Sequence, residues 1–248
     1  MSILISLCGP DGVGKTTLYR FLERVFYVKT NRYVVDYIWL RSPHTFAYLI
    51  YKLFLKIGFQ GPILRSNISK SIWLYIEFIS IIPKLLVVLT KLKFSRRVLI
   101  AERYLLDTIV TIITYFVKDI RYLCSLPMRF LLLLSFKYSV NKKTVFIYLD
   151  ASEETIIKRR LLRLSNTDKH LLNPLSRKRV KRYISIQRKL YSTLITFLRG
   201  HKLDTSNKKP VEVLFEILTI LHNVYSCLLY TSPSPRDRGW SRMPSSAW

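Results

Sequence analysis

Residues 9–16 read Gly9-Pro10-Asp11-Gly12-Val13-Gly14-Lys15-Thr16, between a short apolar run at 3–8 and a helical pattern at 16–26. Few folds accommodate that order. The run suits a strand buried on both faces, and the glycines allow a sharp turn that brings backbone N–H groups close to a ligand. The spacing matches G-x-x-x-x-G-K-[ST], a loop that wraps phosphate when it joins a strand to a helix. Each residue type has a physical task in that chemistry. The helix N-terminus supplies positive potential, Lys15 bridges β- and γ-oxygens, and the Thr16 hydroxyl ligates Mg²⁺. Gly9, Pro10, Asp11, Gly12, Val13, Gly14, Lys15, Thr16 and Thr17 are therefore the candidate ATP-binding residues, with Lys15 also catalytic.

The same alternation continues along the chain. Short apolar runs at 33–39, 97–101 and 144–149, and a shorter one at 201–205, read as strands of a parallel sheet. Helical patterns at 45–56, 71–92, 105–118, 153–164, 177–198 and 210–225 connect or follow them. Strands recurring with helical connections predict an α/β fold, a five-stranded parallel sheet with helices on both faces. No internal repeat divides the chain, and no linker rich in Pro, Gly or Ser splits it, so residues 1–226 are expected to form a single domain. At 248 residues, half of them hydrophobic, a core is affordable without disulfides, which excludes a cysteine-stapled miniprotein and wholesale disorder.

Residues 227–248 are read separately. From Cys227 to Asp237 the chain is what the DNA of a transposase sequencing-library adapter encodes, and 241–248 resembles the flow-cell end of the same adapter in the same frame. This stretch is expected to be a non-native, adapter-derived tail. The remaining cysteines, Cys8 and Cys124, have no CxxC spacing, and the four histidines lack zinc-ligand spacing. A reducing, cytoplasmic setting is the expectation. The residues before Gly9 lack a charged n-region, so no secretory signal is expected. The most apolar stretch, 71–92, is interrupted by Glu77, Pro83 and Lys84 and reads as a buried helix rather than a membrane span; 104–117 and 130–136 are too short to cross.

Forty-one Lys and Arg oppose fifteen Asp and Glu, a formal charge of +26. Phosphate-rich partners fit such a chain: nucleotides, nucleic acid or an anionic membrane face. Four motifs narrow the choice. The loop carries aspartate in the form G-x-D-G-x-G-K-[ST]; Arg41 follows the second strand in Trp39-Leu40-Arg41-Ser42-Pro43; Glu102-Arg103-Tyr104 closes the third; Leu149-Asp150 closes the fourth, with Glu154 and Arg159 beyond it. In this order and over most of residues 3–206 they resemble the thymidylate kinase family, phosphate-loop kinases of the nucleoside-monophosphate kinase type. The resemblance implies ATP and Mg²⁺ as cofactors and a lid at about 160–180, where cations are dense.

It also implies roles. Glu102 and Thr16 hold Mg²⁺; Arg41 and Arg103 clamp the acceptor phosphate; Asp11 contacts an acceptor sugar; Tyr104 stacks on the acceptor ring; Arg160 or Arg163 from the lid neutralises the transition state. Glu154 and Arg159 read as a structural pair on one helix. Departures from the family's pattern leave the acceptor open: Glu102 stands for aspartate, Asp107 replaces the residues that usually follow Asp-Arg-Tyr in nucleotide-specific members, and 71–92 lacks the base-reading arginine. The expected reaction is ATP-dependent phosphoryl transfer to a monophosphate, a deoxynucleoside monophosphate such as thymidylate. A non-nucleotide or membrane-associated acceptor is the alternative, and a nucleic-acid-binding ATPase a third, although no nucleic-acid module is recognisable. A homodimer and a peripheral contact with a membrane or other anionic surface are compatible partners.

Overall fold

The computed structural model of the chain describes residues 3–29, 35–38, 40, 50, 52–53, 56, 67–94, 98–117, 120–141, 144–163 and 173–229. Arg41, most of the helix expected at 45–56, the central lid residues 164–172 and residues 230–248 lie outside the described residues.

Strand β1 (Ile3–Cys8) is apolar along its length and almost wholly buried, because it is covered on both faces and flanked on both edges. Its neighbours are β3 (Val98–Glu102) and β4 (Thr144–Asp150); β2 (Val35–Ile38) and β5 (His201–Asp204) lie outside these, giving the order β2-β3-β1-β4-β5. Every pairing is parallel. The register sets Leu7 beside Glu102 and Cys8 beside Tyr148, so three central strands finish together at one sheet edge.

Alternate strand residues face opposite layers. Leu4, Cys8, Leu99, Ala101, Phe146 and Tyr148 pack under α2 (Asn67–Phe94), α3 (Leu105–Thr111), α4 (Leu126–Val140) and α6 (Pro174–Phe197). Ile5, Leu7, Ile100, Val145, Ile147 and Leu149 pack under α1 (Lys15–Lys29), α5 (Glu153–Arg163) and α7 (Pro210–Leu229). The chain is thus an α/β protein with a parallel sheet between helices.

Local chemistry explains where several helices begin. The Asn173 side chain accepts from the Leu175 N–H at 2.9 Å and Pro174 opens α6, so this helix starts three residues before its apolar periodicity does. Pro210 opens α7, where Glu212 accepts from the Lys209 N–H at 2.9 Å. That helix continues as backbone through Cys227, Leu228 and Leu229, across the boundary expected for the tail.

Two helices differ from the expectation. Residues 130–136 belong to the longer α4, followed from a 3-10 turn at Ile120–Cys124. Helix α2 is not simply buried: Leu74, Ile81, Leu85, Val88 and Leu92 enter the core while the opposite side stays exposed. Within it, Ser71–Phe94 is long and apolar enough to cross a membrane by length and composition alone. Neither Glu77 nor Pro83 breaks the helix: Pro83 lies on the exposed side, while Glu77 is buried on the core side between Leu74 and Ile81. Further along, α3 continues as a π-helical turn, Ile112–Val117.

Candidate functional site

The site is built where β1 and β3 end. Beyond Cys8 the chain turns through Gly9, Gly12 and Gly14, at φ +145°, +111° and +104°, a region that glycine enters without penalty. Gly9 has a second constraint, since a Cβ there would lie 2.4 Å from the Leu149 carbonyl oxygen. Close packing of β1 against β4 therefore demands glycine at the first loop position.

Lys15 begins α1 and is only 5% exposed. Its Nζ donates to the carbonyls of Gly9 at 2.5 Å and Pro10 at 3.1 Å, which folds the ammonium over the loop, 3.7 Å from Asp11 Oδ1. The next residue links the loop to β3: the Thr16 hydroxyl donates to Glu102 Oε1 at 2.8 Å. Two oxygen donors at a helix start and a strand end fit Mg²⁺, which keeps several waters and takes one or two protein oxygens plus phosphate. Among the described residues no group of three or more His, Cys, Asp or Glu side chains converges to make an all-protein metal cage.

Arg103 follows Glu102 at φ 62°, a left-handed conformation that costs a non-glycine residue about 1–2 kcal/mol. The turn directs its guanidinium to the loop, where it donates to Asp11 Oδ1 at 2.7 Å. Asp11 is thus joined to an arginine at the rim of the site. Asp107, one turn into α3, reaches the loop from below: its Oδ1 accepts from the Gly9 N–H at 3.1 Å and from the Tyr191 hydroxyl at 2.7 Å, while its buried Oδ2 has no hydrogen-bond partner among the described residues. Burial pushes the Asp107 carboxyl above the usual carboxylate range, against the pull of Lys15, the Tyr191 hydroxyl, the Gly9 N–H and Arg103.

Helix α6 is fastened to the same strand ends. Tyr191 stacks on Tyr148 with ring centres 5.2 Å apart, and Arg188 grips Asp150 with two hydrogen bonds of 2.7 and 3.0 Å. Burial raises Asp150, but Arg188, Tyr148 and Lys202 outweigh it and hold the carboxyl below its ordinary value. On the other side Arg159 donates to Thr205 O at 2.5 Å and Thr205 Oγ1 at 3.0 Å, and reaches Val13 O at 3.5 Å. The turn after β5 is thereby tied to the glycine loop.

These parts line one cleft of about 820 Å³, formed by Asp11 to Leu18, Glu102, Arg103, Arg159, Arg160, Thr205 and Lys208, with Pro210 and Val213 at the start of α7. Lys15, Arg103, Arg159, Arg160 and Lys208 outnumber Asp11 and Glu102, and such a surplus in a concave site favours phosphate.

The structure brings together most of the residues expected from the sequence. Thr17 lines the cleft; Pro10 and Val13 are buried and contribute backbone carbonyls. Arg160 packs on the loop, its Cγ 3.0 Å from where a Gly12 Cβ would stand. Arg163 lies in α5 with its side chain outside the described ones, and Arg41 lies outside altogether.

Two expectations are corrected. Tyr104 is fully buried, with Phe146 stacked against it at 6.4 Å, because its backbone turns the ring into the core ahead of α3; it does not face the cleft or stack on an acceptor there. Glu154 and Arg159 do not pair with each other: Glu154 meets Lys181 at 3.2 Å, and Arg159 is taken by Thr205 and Val13. Sequence reasoning missed Thr205, Lys208 and the Asp107–Tyr191 contact. Lys208 follows a short strand in a turn of Ser, Asn and Lys, a weak signal; the contact joining residues 107 and 191 has none.

No protein-family model and no curated protein matches the chain.

Proposed function

We propose that the chain is a phosphate-loop kinase of the nucleoside-monophosphate kinase type, moving the γ-phosphate of ATP to a monophosphate acceptor. The observation that carries this reading is the convergence, in one cationic cleft, of Lys15 on the glycine loop and of Thr16 hydrogen-bonded to Glu102. In the reaction an acceptor phosphate oxygen attacks the γ-phosphorus, the bond to the β,γ-bridging oxygen breaks, and ADP leaves with that electron pair. Mg²⁺, when bound, neutralises the triphosphate and orients it. Lys15 leaves the Gly9 and Pro10 carbonyls for the β- and γ-oxygens, and the loop N–H groups and the start of α1 hold the β-phosphate. Arg160, already against Gly12, supplies charge to the transferring group.

The carboxylates argue for a phosphate rather than a hydroxyl acceptor. A phosphate dianion needs no proton removed, whereas a hydroxyl needs a general base within reach. The two described carboxylates lining the cleft are both engaged, Asp11 by Arg103 and Glu102 by Thr16, while Asp107 sits buried behind the loop. An acceptor phosphate would draw Arg103 from Asp11 or share it.

A deoxynucleoside monophosphate is the proposed acceptor, and with Tyr104 turned inward its base is read weakly. Steady-state kcat/KM across the four deoxynucleoside monophosphates tests this. The expected result is turnover with the pyrimidine monophosphates and little preference for thymidylate. A preference above about 10⁴, the discrimination of a hydrogen-bonding pocket, would refute weak reading. ATP hydrolysis stimulated by DNA with no transfer to any monophosphate would refute the kinase assignment.

A further inference from the structure

The helix layer that packs on Leu4, Leu99, Ala101 and Phe146 has an outer face that the sheet does not use. On α2 the exposed positions recur every three or four residues: Ile72 at 56%, Tyr75 at 45%, Ile79 at 58% and Leu86 at 56%, with exposed Pro83 and Thr90 in the same stripe. Helix α4 repeats the pattern with Leu126 at 73%, Phe130 at 50%, Leu133 at 65% and Val140 at 51%. The two helices touch through Phe78 and Phe130, edge to face with ring centres 5.7 Å apart. Aromatic and aliphatic side chains therefore dominate both exposed helix faces, a feature that marks an interaction surface.

Charge identifies what the surface meets. The one acidic residue of α2, Glu77, is 3% exposed, and α4 has none. Among the described side chains, the exposed charged residues on the two helices are cations: Lys93 on α2, Arg129 and Lys137 on α4. A second copy of the chain docking face to face would set these cations against their own copies with no carboxylate from either helix to meet them. An anionic lipid surface accepts both halves of the pattern, apolar side chains entering the headgroup boundary and cations meeting the headgroups. The net charge of +26 drives approach in the same sense.

We propose that the α2–α4 face docks on an anionic membrane surface, with both helices lying along the interface. Spanning is a different arrangement and does not fit, because Leu74, Ile81, Leu85, Val88 and Leu92 of α2 are committed to the protein core. The inference goes beyond the kinase reading and stands on different residues.

The test is sedimentation of the full chain with vesicles of phosphatidylcholine alone or with about one third phosphatidylglycerol, without ATP, so that its outcome is independent of phosphoryl transfer. Binding is expected to the anionic vesicles, weakening as salt rises from about 0.1 to about 0.5 M. The double variant Ile79→Asp with Phe130→Asp should bind at least about tenfold more weakly. Phe215→Asp, at a position 65% exposed on α7 across the sheet, adds one negative charge and should bind much as wild type does. Ile79→Ser with Leu133→Ser, which adds no charge and spares the contact between Phe78 and Phe130, should also lose binding while keeping a melting temperature near that of wild type. Equal binding by the double variants and wild type would overturn the proposal. So would losses as large in Phe215→Asp, which would make net charge the cause, or a dimer by light scattering with no vesicle binding.

Discussion

Replacing the three loop glycines by alanine, one at a time, should destabilise the protein in a fixed order: Gly9 most, Gly12 next, Gly14 least. All three hold positive φ, so each alanine carries a backbone penalty of about 1–2 kcal/mol. For Gly14 that is nearly the whole effect, because a Cβ there meets nothing within 4 Å. At Gly12 the new carbon meets Arg160 Cγ at 3.0 Å and Ile156 Cγ2 at 3.1 Å, side-chain atoms that can shift, and the Ile156 carbonyl oxygen at 3.2 Å, which together add about 1 kcal/mol. At Gly9 it would stand 2.4 Å from the carbonyl oxygen of Leu149, in a strand hydrogen-bonded on both sides, so the sheet itself must move. A further 2–3 kcal/mol or so is expected, at the upper end of overpacking effects. Urea unfolding at constant m gives the differences directly, and melting temperature should fall by about 2–4 °C per kcal/mol in a domain of this size. Gly9→Ala no more destabilising than Gly14→Ala would refute the close approach of the loop to β4.

Further outcomes follow from named contacts. Because burial raises the folded-state pKa of Asp107, its contribution to stability is greatest at acid pH and is lost as pH rises through that value, so Asp107→Asn should gain on wild type between about pH 4 and neutrality. Urea unfolding at both pH values checks the sign, and a constant difference would contradict it. Arg160→Ala should lower kcat by about 10³ with little change in KM if its guanidinium meets the transferring phosphate; a rise in KM alone would assign it to ground-state binding. Cys8 is buried and its thiol is pushed well up, chiefly by burial, whereas Cys124 is exposed. Peptide mapping after brief alkylation of the native protein should find label on Cys124 and none on Cys8, and rapid labelling of Cys8 would contradict the packing of β1.

How much of this was legible in the sequence depended on how local the cause is. The turn from β1 into α1 is legible because its glycines, its lysine and the apolar run before it act within a dozen residues. Glu102 was legible for a related reason, as the polar residue closing a buried strand. Tyr104 was misread because a ring three residues from Ala101 can face either the cleft or the core, and the backbone that decides lies in the left-handed turn at Arg103. Contacts between distant segments left no mark: Asp107 with Tyr191, and Arg159 with Thr205, join residues brought together by strand order alone. The exposed face of α2 was hidden by its own composition, since a helix apolar on every side reads as buried whether or not both sides find protein.

The most direct measurement follows the γ-phosphate itself. Wild-type protein and Lys15→Ala, matched in melting temperature, are incubated with Mg²⁺, γ-labelled ATP and a pyrimidine deoxynucleoside monophosphate, and the products are separated. Label in the nucleoside diphosphate with wild type, falling to background with Lys15→Ala, is the predicted result. Equal transfer by the two proteins, or no transfer by wild type to any nucleoside monophosphate, would contradict the assignment of the Lys15 cleft as a site of nucleoside-monophosphate phosphorylation.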